Sequence, residues 1–135
     1  MTSGIMNGTL IGMYVNGSVK IANAVSHDLD LTMAVRDTTN KDNSGWKTGL
    51  GGLKSWTCSF EAMFDQSANY TFDQLFALLD ARTAITVYMS TTITGDKKYS
   101  GSALLTSLKK GAPVEGNVTF SGTFEGTGAL TETIL

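Results

Sequence analysis

Residues 29–64 read LDLTMAVRDTTNKDNSGWKTGLGGLKSWTCSFEAMF, and this stretch decides the fold. Apolar and polar residues alternate in 29–36 and again in 56–64, which predicts a half-buried strand on either side of the segment between them. That segment, residues 37–54, is polar and glycine-rich and predicts a long loop. Loops of this length are uncommon in compact domains, so we expect it to carry function or to be ordered by a partner.

The predicted loop also contains large apolar side chains, namely Trp46, Leu50 and Leu53. A flexible linker would not normally hold them, because leaving them in water forfeits the free energy of apolar burial. We therefore expect another surface to cover this segment.

The rest of the chain predicts further antiparallel strands. Asn16 and Gly17 favour a two-residue hairpin turn, and Thr94–Lys97 favours a second turn. Fifteen glycines and one proline fit short strands and tight turns. The strands are predicted at 10–15, 18–25, 84–93, 99–108 and 114–125.

One segment, residues 70–81, has the period of a helix. Its apolar residues recur at spacings of three and four, and Thr71 with Gln74 resembles a capping box. An isolated helix of this length is marginal in water, so its apolar stripe is expected to lie against the sheet. The apolar positions are Phe72, Leu75, Phe76, Leu78 and Leu79.

Length and composition indicate a single domain over residues 1–135, mainly β, built as an antiparallel sandwich or barrel with one flanking α-helix. Residues 1–8 and 126–135 are predicted to form terminal arms without an internal partner. The net charge is −2 and 16% of residues are charged, which argues against binding nucleic acid by phosphate neutralisation. The lone Cys58, the absence of a signal-like N-terminus and the absence of a membrane anchor predict a protein made in the cytoplasm.

The inventory of reactive side chains predicts no catalytic, cofactor or metal site, and so no enzyme. His27 is the only histidine, and it is interpreted as an exposed turn residue at a strand boundary. The aspartates at 28, 30, 37 and 42 lack the spacing of a calcium loop. The glycines at 45, 49, 51 and 52 lack the Gly-Lys-Ser/Thr ending of a phosphate loop.

With these patterns established, the chain resembles the major tail tube proteins of long-tailed bacteriophages over most of its length. One departure is Gly51, where the family pattern has proline before Gly52. The residues that carry the resemblance are Thr38, Thr39, Lys41, Asp42, Gly45, Trp46, Lys47, Gly52, Leu53, Lys54, Ser55, Trp56, Tyr99, Ser100, Gly101, Ala112, Pro113, Asn117, Thr119, Phe120, Ser121, Phe124, Gly126, Thr127, Gly128 and Leu130.

The resemblance implies a structural virion protein that assembles into hexameric rings, which stack into a hollow tail tube for DNA delivery. It also implies a tape measure protein, a tail terminator and baseplate or tail-tip proteins as partners. The expected location is the virion tail, assembled in the cytoplasm of the host bacterium. DNA would pass through the lumen without specific binding.

Rings that propagate need heterologous contacts, and long loops and arms supply them. We predict that residues 37–54 reach a neighbouring subunit or ring; the other interpretation is that the loop folds back on its own sheet. The expected interface residues are Thr38, Thr39, Lys41, Asp42, Trp46, Leu50, Leu53, Leu130 and Ile134. The expected lumen residues are Thr119, Ser121, Thr123 and Glu125, or else the face of Thr86, Tyr88, Ser90 and Thr92.

The competing interpretation is a monomeric ligand-binding or carbohydrate-binding β-sandwich. Trp46 could stack on a sugar, whereas Trp56 lies on the apolar face of its strand and is predicted to be core. Such a module should cluster exposed aromatic residues on a concave face, whereas this chain spreads its tyrosines.

Overall fold

The computed structural model describes residues 3–15, 19–21, 23–65 and 72–135. Within these residues it contains eight strands and one α-helix, together with 3₁₀ turns at Gly8–Leu10 and Lys41–Asn43. The strands are β1 (Gly12–Val15), β2 (Val19–Lys20), β3 (Ala24–Asp37), β4 (Gly49–Met63), β5 (Ile85–Ser90), β6 (Lys97–Gly111), β7 (Thr119–Gly126) and β8 (Thr131–Ile134), and the helix is α1 (Phe72–Ala81).

The strands form one antiparallel sheet in the order β2-β1-β5-β6-β7-β4-β3, with β8 added beside β6. This confirms the predicted mainly-β fold with a single flanking helix. No described strand pairs with the outer edge of β3, so β3 is the edge strand at one end of the sheet.

Strand β6 links the two halves of the sheet. Its first half pairs with β5 on one edge and β8 on the other, and its second half pairs with β7. The register with β7 shifts between Leu105 and Ser107, and such a bulge increases the local bend and twist of a strand. This bend in β6 is consistent with a single core to which both halves of the sheet contribute side chains. Its buried apolar residues are Met13, Val15, Ile21, Trp56, Cys58, Phe60, Ala62, Leu75, Val87, Ala103, Leu105, Phe120 and Phe124.

The first predicted hairpin is confirmed, but its second strand is shorter than expected. Val15 pairs with Val19, while the turn itself lies outside the described residues. Strand β2 ends at Lys20, because the chain turns at Asn23, which adopts a left-handed φ of 57°. The second hairpin, β5–β6, is also confirmed.

Helix α1 begins and ends where the apolar period indicates, although positions 70 and 71, including the capping threonine, lie outside the described residues. Leu75 is fully buried against the sheet. The Nζ atom of Lys110 in β6 lies 3.8 Å from the centre of the Phe64 ring and 5.1 Å from that of Phe72, so cation–π contacts join the start of the helix to the sheet. Phe76 remains 56% exposed, so the apolar stripe is wider than the buried face.

The predicted loop at 37–54 is wrong in its second part. Asp37 pairs with Gly49, so β3 and β4 continue as a two-stranded hairpin and only residues 38–48 lie outside strands. A register shift between Met33 and Val35 admits an extra residue in β4. Glycine has a low strand propensity, and pairing with the whole length of β3 overrides it.

The predicted C-terminal arm is likewise corrected, because residues 131–134 have an internal partner. Strand β8 pairs with the start of β6, from Ser100 opposite Thr131 to Lys97 opposite Ile134. Lys97 Nζ lies 2.9 Å from Glu132 Oε1, and hydrogen bonds from Lys97 and Tyr99 lower the pKa of Glu132. Short alternating strands at a chain end give too little sequence pattern to distinguish them from an extended arm.

Within the described residues, no helix has both the length and the hydropathy that crossing a lipid bilayer requires.

Candidate assembly surface

The base of the β3–β4 hairpin is fixed by the side chain of Trp56. Its indole Nε1 donates a hydrogen bond of 3.0 Å to the Gly128 carbonyl, and 4% of the residue is exposed, which confirms its predicted core position. A Cβ atom on Gly126 would lie 2.1 Å from indole Cε2, and one on Gly101 would lie 2.6 Å from Cζ2. Both positions therefore need glycine so that the ring can pack directly on the backbone of β6 and β7.

Beyond Trp56 the hairpin projects past the core while keeping an apolar face. Leu31 is directly opposite Trp56 and Met33 is opposite Lys54, so these residues continue the inward face of the sheet. Leu31, Met33 and Val35 are each more than half exposed. We call these three residues the hairpin stripe. A groove of about 600 Å³ runs between it and residues 126–130 of the body.

The hairpin tip, residues 38–48, is held together by its own hydrogen bonds. The Oγ1 atoms of Thr38 and Thr48 are 2.9 Å apart, and Asn43 Nδ2 donates to Thr48 Oγ1 at 3.0 Å. Asn40 Oδ1 accepts from the backbone N–H of Asp42 and caps the 3₁₀ turn. Hydrogen bonds from Thr39 to Asp37 lower the pKa of that carboxyl. The tip therefore has a defined shape although it is exposed.

The apolar side chains that the sequence analysis singled out are exposed on this hairpin. The exposed fraction is 77% for Trp46 and 87% for Leu53, and Leu50 is also mostly exposed. Residues 49–51 pair with β3 in the subunit's own sheet, yet the side chains of Trp46, Leu50 and Leu53 remain exposed in the single subunit. The predicted interface residues on the hairpin are Thr38, Thr39, Lys41, Asp42, Trp46, Leu50 and Leu53.

The other two predicted interface residues are outside the hairpin, and Leu130 lines the groove beside the hairpin stripe. Leu130 is partly buried and packs against the core of its own subunit. Ile134 is mostly exposed on β8, beside a second groove of about 430 Å³ lined by Met6, Met89 and Tyr99. The structure thus brings seven of the nine predicted residues together on the hairpin.

The hairpin stripe was missed as an exposed surface. The alternation of Leu31, Met33 and Val35 indicates one apolar face, and sequence reasoning assigned that face to the core. The signal for exposure lies in the partner strand, where Gly49 and Gly51 face the stripe and supply no side chain to cover it; a Cβ on Gly49 would lie 2.5 Å from Val35 Cγ1.

The predicted lumen residues share the outer face of the sheet. Along β7 the partly exposed Thr119, Ser121 and Thr123 alternate with buried Phe120 and Phe124, so the polar residues point away from the core. The pairing places acidic and hydroxyl side chains from three strands on the same face. These side chains are Asp28, Asp30, Thr57, Ser59, Glu61, Thr119, Ser121, Thr123 and Glu125.

The alternative predicted face, on β5, differs from the β7 face in its chemistry. The ring of Tyr88 stacks on Tyr14 at a centroid distance of 4.8 Å, and Lys98 Nζ lies 4.2 Å from the Tyr88 ring centre. Ser90 is buried. This face is aromatic and cationic, whereas the β7 face carries four carboxylates, with Lys109 of β6 opposite Ser121.

The two reactive side chains considered from the sequence, His27 and Cys58, lie on the neighbouring strands β3 and β4. His27 lies within β3, not at a strand boundary as expected, and is only partly exposed; its pKa is lowered by burial and then by Lys20. Burial raises the pKa of the Cys58 thiol to about 11. Across the described part of the chain, no group of three or more histidine, cysteine, aspartate or glutamate residues could hold a metal ion.

The chain is similar to known proteins both in sequence and in fold. A family model described as "Phage tail tube protein" matches residues 15–132. Among curated proteins, none matches the sequence significantly.

Solved structures share the fold at low sequence identity. The virion of a native gene transfer agent particle contains a chain with a TM-score of 0.84 and 18% identity, covering 96% of this chain and 99% of that one. The SPP1 tail tube aligns with a TM-score of 0.79 and 10% identity, covering 97% and 80%. The baseplate of the anti-feeding prophage aligns with a TM-score of 0.69 and 11% identity, covering 98% and 97%. Because the family model spans most of the sequence, the chain belongs to the phage tail tube protein family, and its role is that of a structural tail tube protein.

Proposed function

We propose that six copies of this chain form a ring and that the rings stack into a tube that conducts DNA from the virion into the host. The projecting β3–β4 hairpin carries this proposal, because it exposes an apolar surface that its own subunit cannot cover. The sixfold symmetry is carried over from a similar structure, the C6-symmetric tail of an empty gene transfer agent particle, which aligns with a TM-score of 0.83, 18% identity and coverage of 96% and 99%.

The hairpin supplies one half of a head-to-tail contact. A ring or stack needs two different surfaces on every subunit, and a projection that meets the body of the next copy provides them. Trp46, Leu50, Leu53 and the hairpin stripe are the groups to be buried. Each large apolar side chain transferred from water contributes about 1.5–3 kcal/mol before the costs of association are subtracted. Residues 1–8, in which Ile5 is fully exposed, are proposed as an additional arm.

The acidic outer face of β7, β4 and β3 is the proposed lumen wall. Its carboxylates and hydroxyls are hydrated and repel phosphate, so DNA would pass without being held. Thr119, Ser121, Thr123 and Glu125 are its proposed central row. The protein would act structurally and without an active site.

The remaining partners follow from the proposed tube. A tape measure protein would occupy the lumen during assembly, a terminator would cap one end, and baseplate or tail-tip proteins would start the other. The subunits would assemble in the host cytoplasm and end in the virion tail.

Electron microscopy of the purified protein, combined with its mass in solution, tests the proposal. Annuli with six subunits, or stacks of them, are expected as concentration rises. A compact single copy that persists at millimolar concentration would overturn it.

A further inference from the structure

The charge of the chain is distributed unevenly between the hairpin and the body. Residues 36–54 contain four cations (Arg36, Lys41, Lys47 and Lys54) and two anions (Asp37 and Asp42), whereas the whole chain has a net charge of −2. Residues 36–54 therefore have a net charge of +2, and the remainder of the chain has a net charge of −4. Two copies placed head to tail attract each other electrostatically, which favours a heterologous contact over a symmetric one.

Helix α1 presents an exposed surface of the opposite sign. Asp73, Ala77 and Asp80 are spaced by four and three residues, so they share one side of the helix, and all three are exposed. Phe76 and Leu79 are exposed beside them. Phe76 stacks on Phe72 at 6.4 Å, which fixes its ring at the surface. Neither aspartate has an ion pair within the described residues.

The other acidic surfaces do not combine exposed carboxylates with large exposed apolar side chains to the same extent. The outer face of β3, β4 and β7 has many carboxylates but few apolar side chains. The turn after β6 exposes Val114 and Glu115, but Lys109 and Lys110 precede it closely. The outer side of α1 combines two exposed apolar side chains with two acids; the cations near it are Arg82, two residues after Asp80, and Lys110, whose Nζ lies 5.1 Å from the centre of the Phe72 ring.

We infer that the outer side of helix α1, formed by Asp73, Phe76, Leu79 and Asp80, is the receptor for the β3–β4 hairpin of a second copy of this chain. The aspartates would pair with Lys54, which lies opposite Met33, and with Lys47 of the hairpin tip, while Phe76 and Leu79 cover apolar side chains of the hairpin. A helix laid on a two-stranded apolar face reproduces the ordinary packing of a helix on a sheet. This inference rests on the proposed function and names the surface that the assembly uses.

Charge reversal tests the pairing. The variant D73K/D80K should raise the concentration needed for tube formation about tenfold, because it replaces two attractions by two repulsions. The variant K47E/K54E should do the same, and the chain carrying all four substitutions should assemble nearly as the wild type does. E115K is the matched control and should have little effect. Circular dichroism and the unfolding midpoint of each monomer show that the variants fold.

The outcomes separate this inference from the proposed function. Wild-type protein that never forms rings or tubes contradicts the proposed function itself. Wild-type tubes that tolerate D73K/D80K, or that lose assembly on E115K instead, contradict only the assignment of α1. Failure of the fourfold variant to recover assembly also contradicts the assignment, provided that its monomer is folded.

Cross-linking gives a second measurement. Tubes made from a mixture of K47C and D80C chains should give linked dimers with a short bismaleimide, whereas a mixture of K47C and E115C should not. Cys58 should not interfere, since it is 2% exposed. Linkage of the second mixture alone would place the hairpin on the turn after β6 and overturn the inference.

Discussion

Replacing Gly126 with alanine should destabilise the subunit through the packing of Trp56. The added methyl group would lie 2.1, 2.2 and 2.5 Å from three atoms of the indole ring, whereas carbon atoms in contact are about 3.5–4.0 Å apart. The ring or the strand must therefore move by more than 1 Å, roughly the gap between these distances. Overpacking of this kind costs about 1–3 kcal/mol.

Urea unfolding of the monomer measures this cost. With a denaturant slope of about 1–3 kcal/mol/M, a loss of about 2 kcal/mol lowers the midpoint by roughly 1 M. Gly111→Ala is the matched control, because Gly111 is also a strand glycine and its added Cβ would meet only Thr119 Oγ1 at 3.6 Å. The control should be neutral or slightly stabilising, since alanine has less freedom than glycine in the unfolded chain.

A double-mutant cycle assigns the effect to the indole. In a Trp56→Leu background the clash is absent, so Gly126→Ala should cost much less than in the wild type. Equal shifts for G126A and G111A, or the same cost of G126A in both backgrounds, would refute the reasoning.

Four further predictions follow from the hairpin, the polar face and the two partly or fully buried titratable groups. Trp46→Ala should leave the monomer's unfolding midpoint unchanged within about 0.5 kcal/mol but weaken assembly, because this side chain is exposed in the single subunit; electron microscopy showing tubes of normal length and stability would count against it. Ser121→Lys with Thr123→Lys should retain DNA in the tube at low salt and release it at high salt, and passage that is independent of salt would argue against the lumen assignment. Cys58 should react with a thiol reagent at pH 8 only after unfolding, because its pKa is about 11 and it is buried; fast labelling of the native subunit would contradict this. The lowered pKa of His27 means that the unfolded chain binds its proton more readily, so stability should fall as the pH drops through about 6.5, and His27→Gln should flatten this dependence in unfolding experiments across that range.

The sequence predicts the elements in which pattern and packing agree. Alternation identified both flanks of the hairpin, and a period of three to four identified helix α1, because the apolar face is buried at Trp56, Cys58 and Phe60 in β4 and at Leu75 in α1. The exposure of Trp46 and Leu53 was also inferable, because apolar residues among glycines have no periodic partner.

The sequence predictions were wrong where strand pairing in the folded chain overrides the local secondary-structure preference of the residues. Gly49–Leu53 has the composition of a loop and becomes a strand only because β3 continues beside it. Residues 131–134 become a strand because β7 ends and leaves the edge of β6 free. The stripe at Leu31, Met33 and Val35 has the pattern of a core strand, and only the full length of the hairpin reveals that it extends past the core.

The outer edge of β3 has a consequence for how the protein must be handled by the cell. A strand of 14 residues whose outer edge pairs with no described strand can recruit any extended chain, including a misaligned sister or an unfolded fragment. Polar residues along the strand and a bulge in its pairing reduce that risk without abolishing it. Ordered growth therefore requires that the correct neighbour meets this edge sooner than chance partners do, and overproduction should add irregular polymers or precipitates to the ordered assemblies.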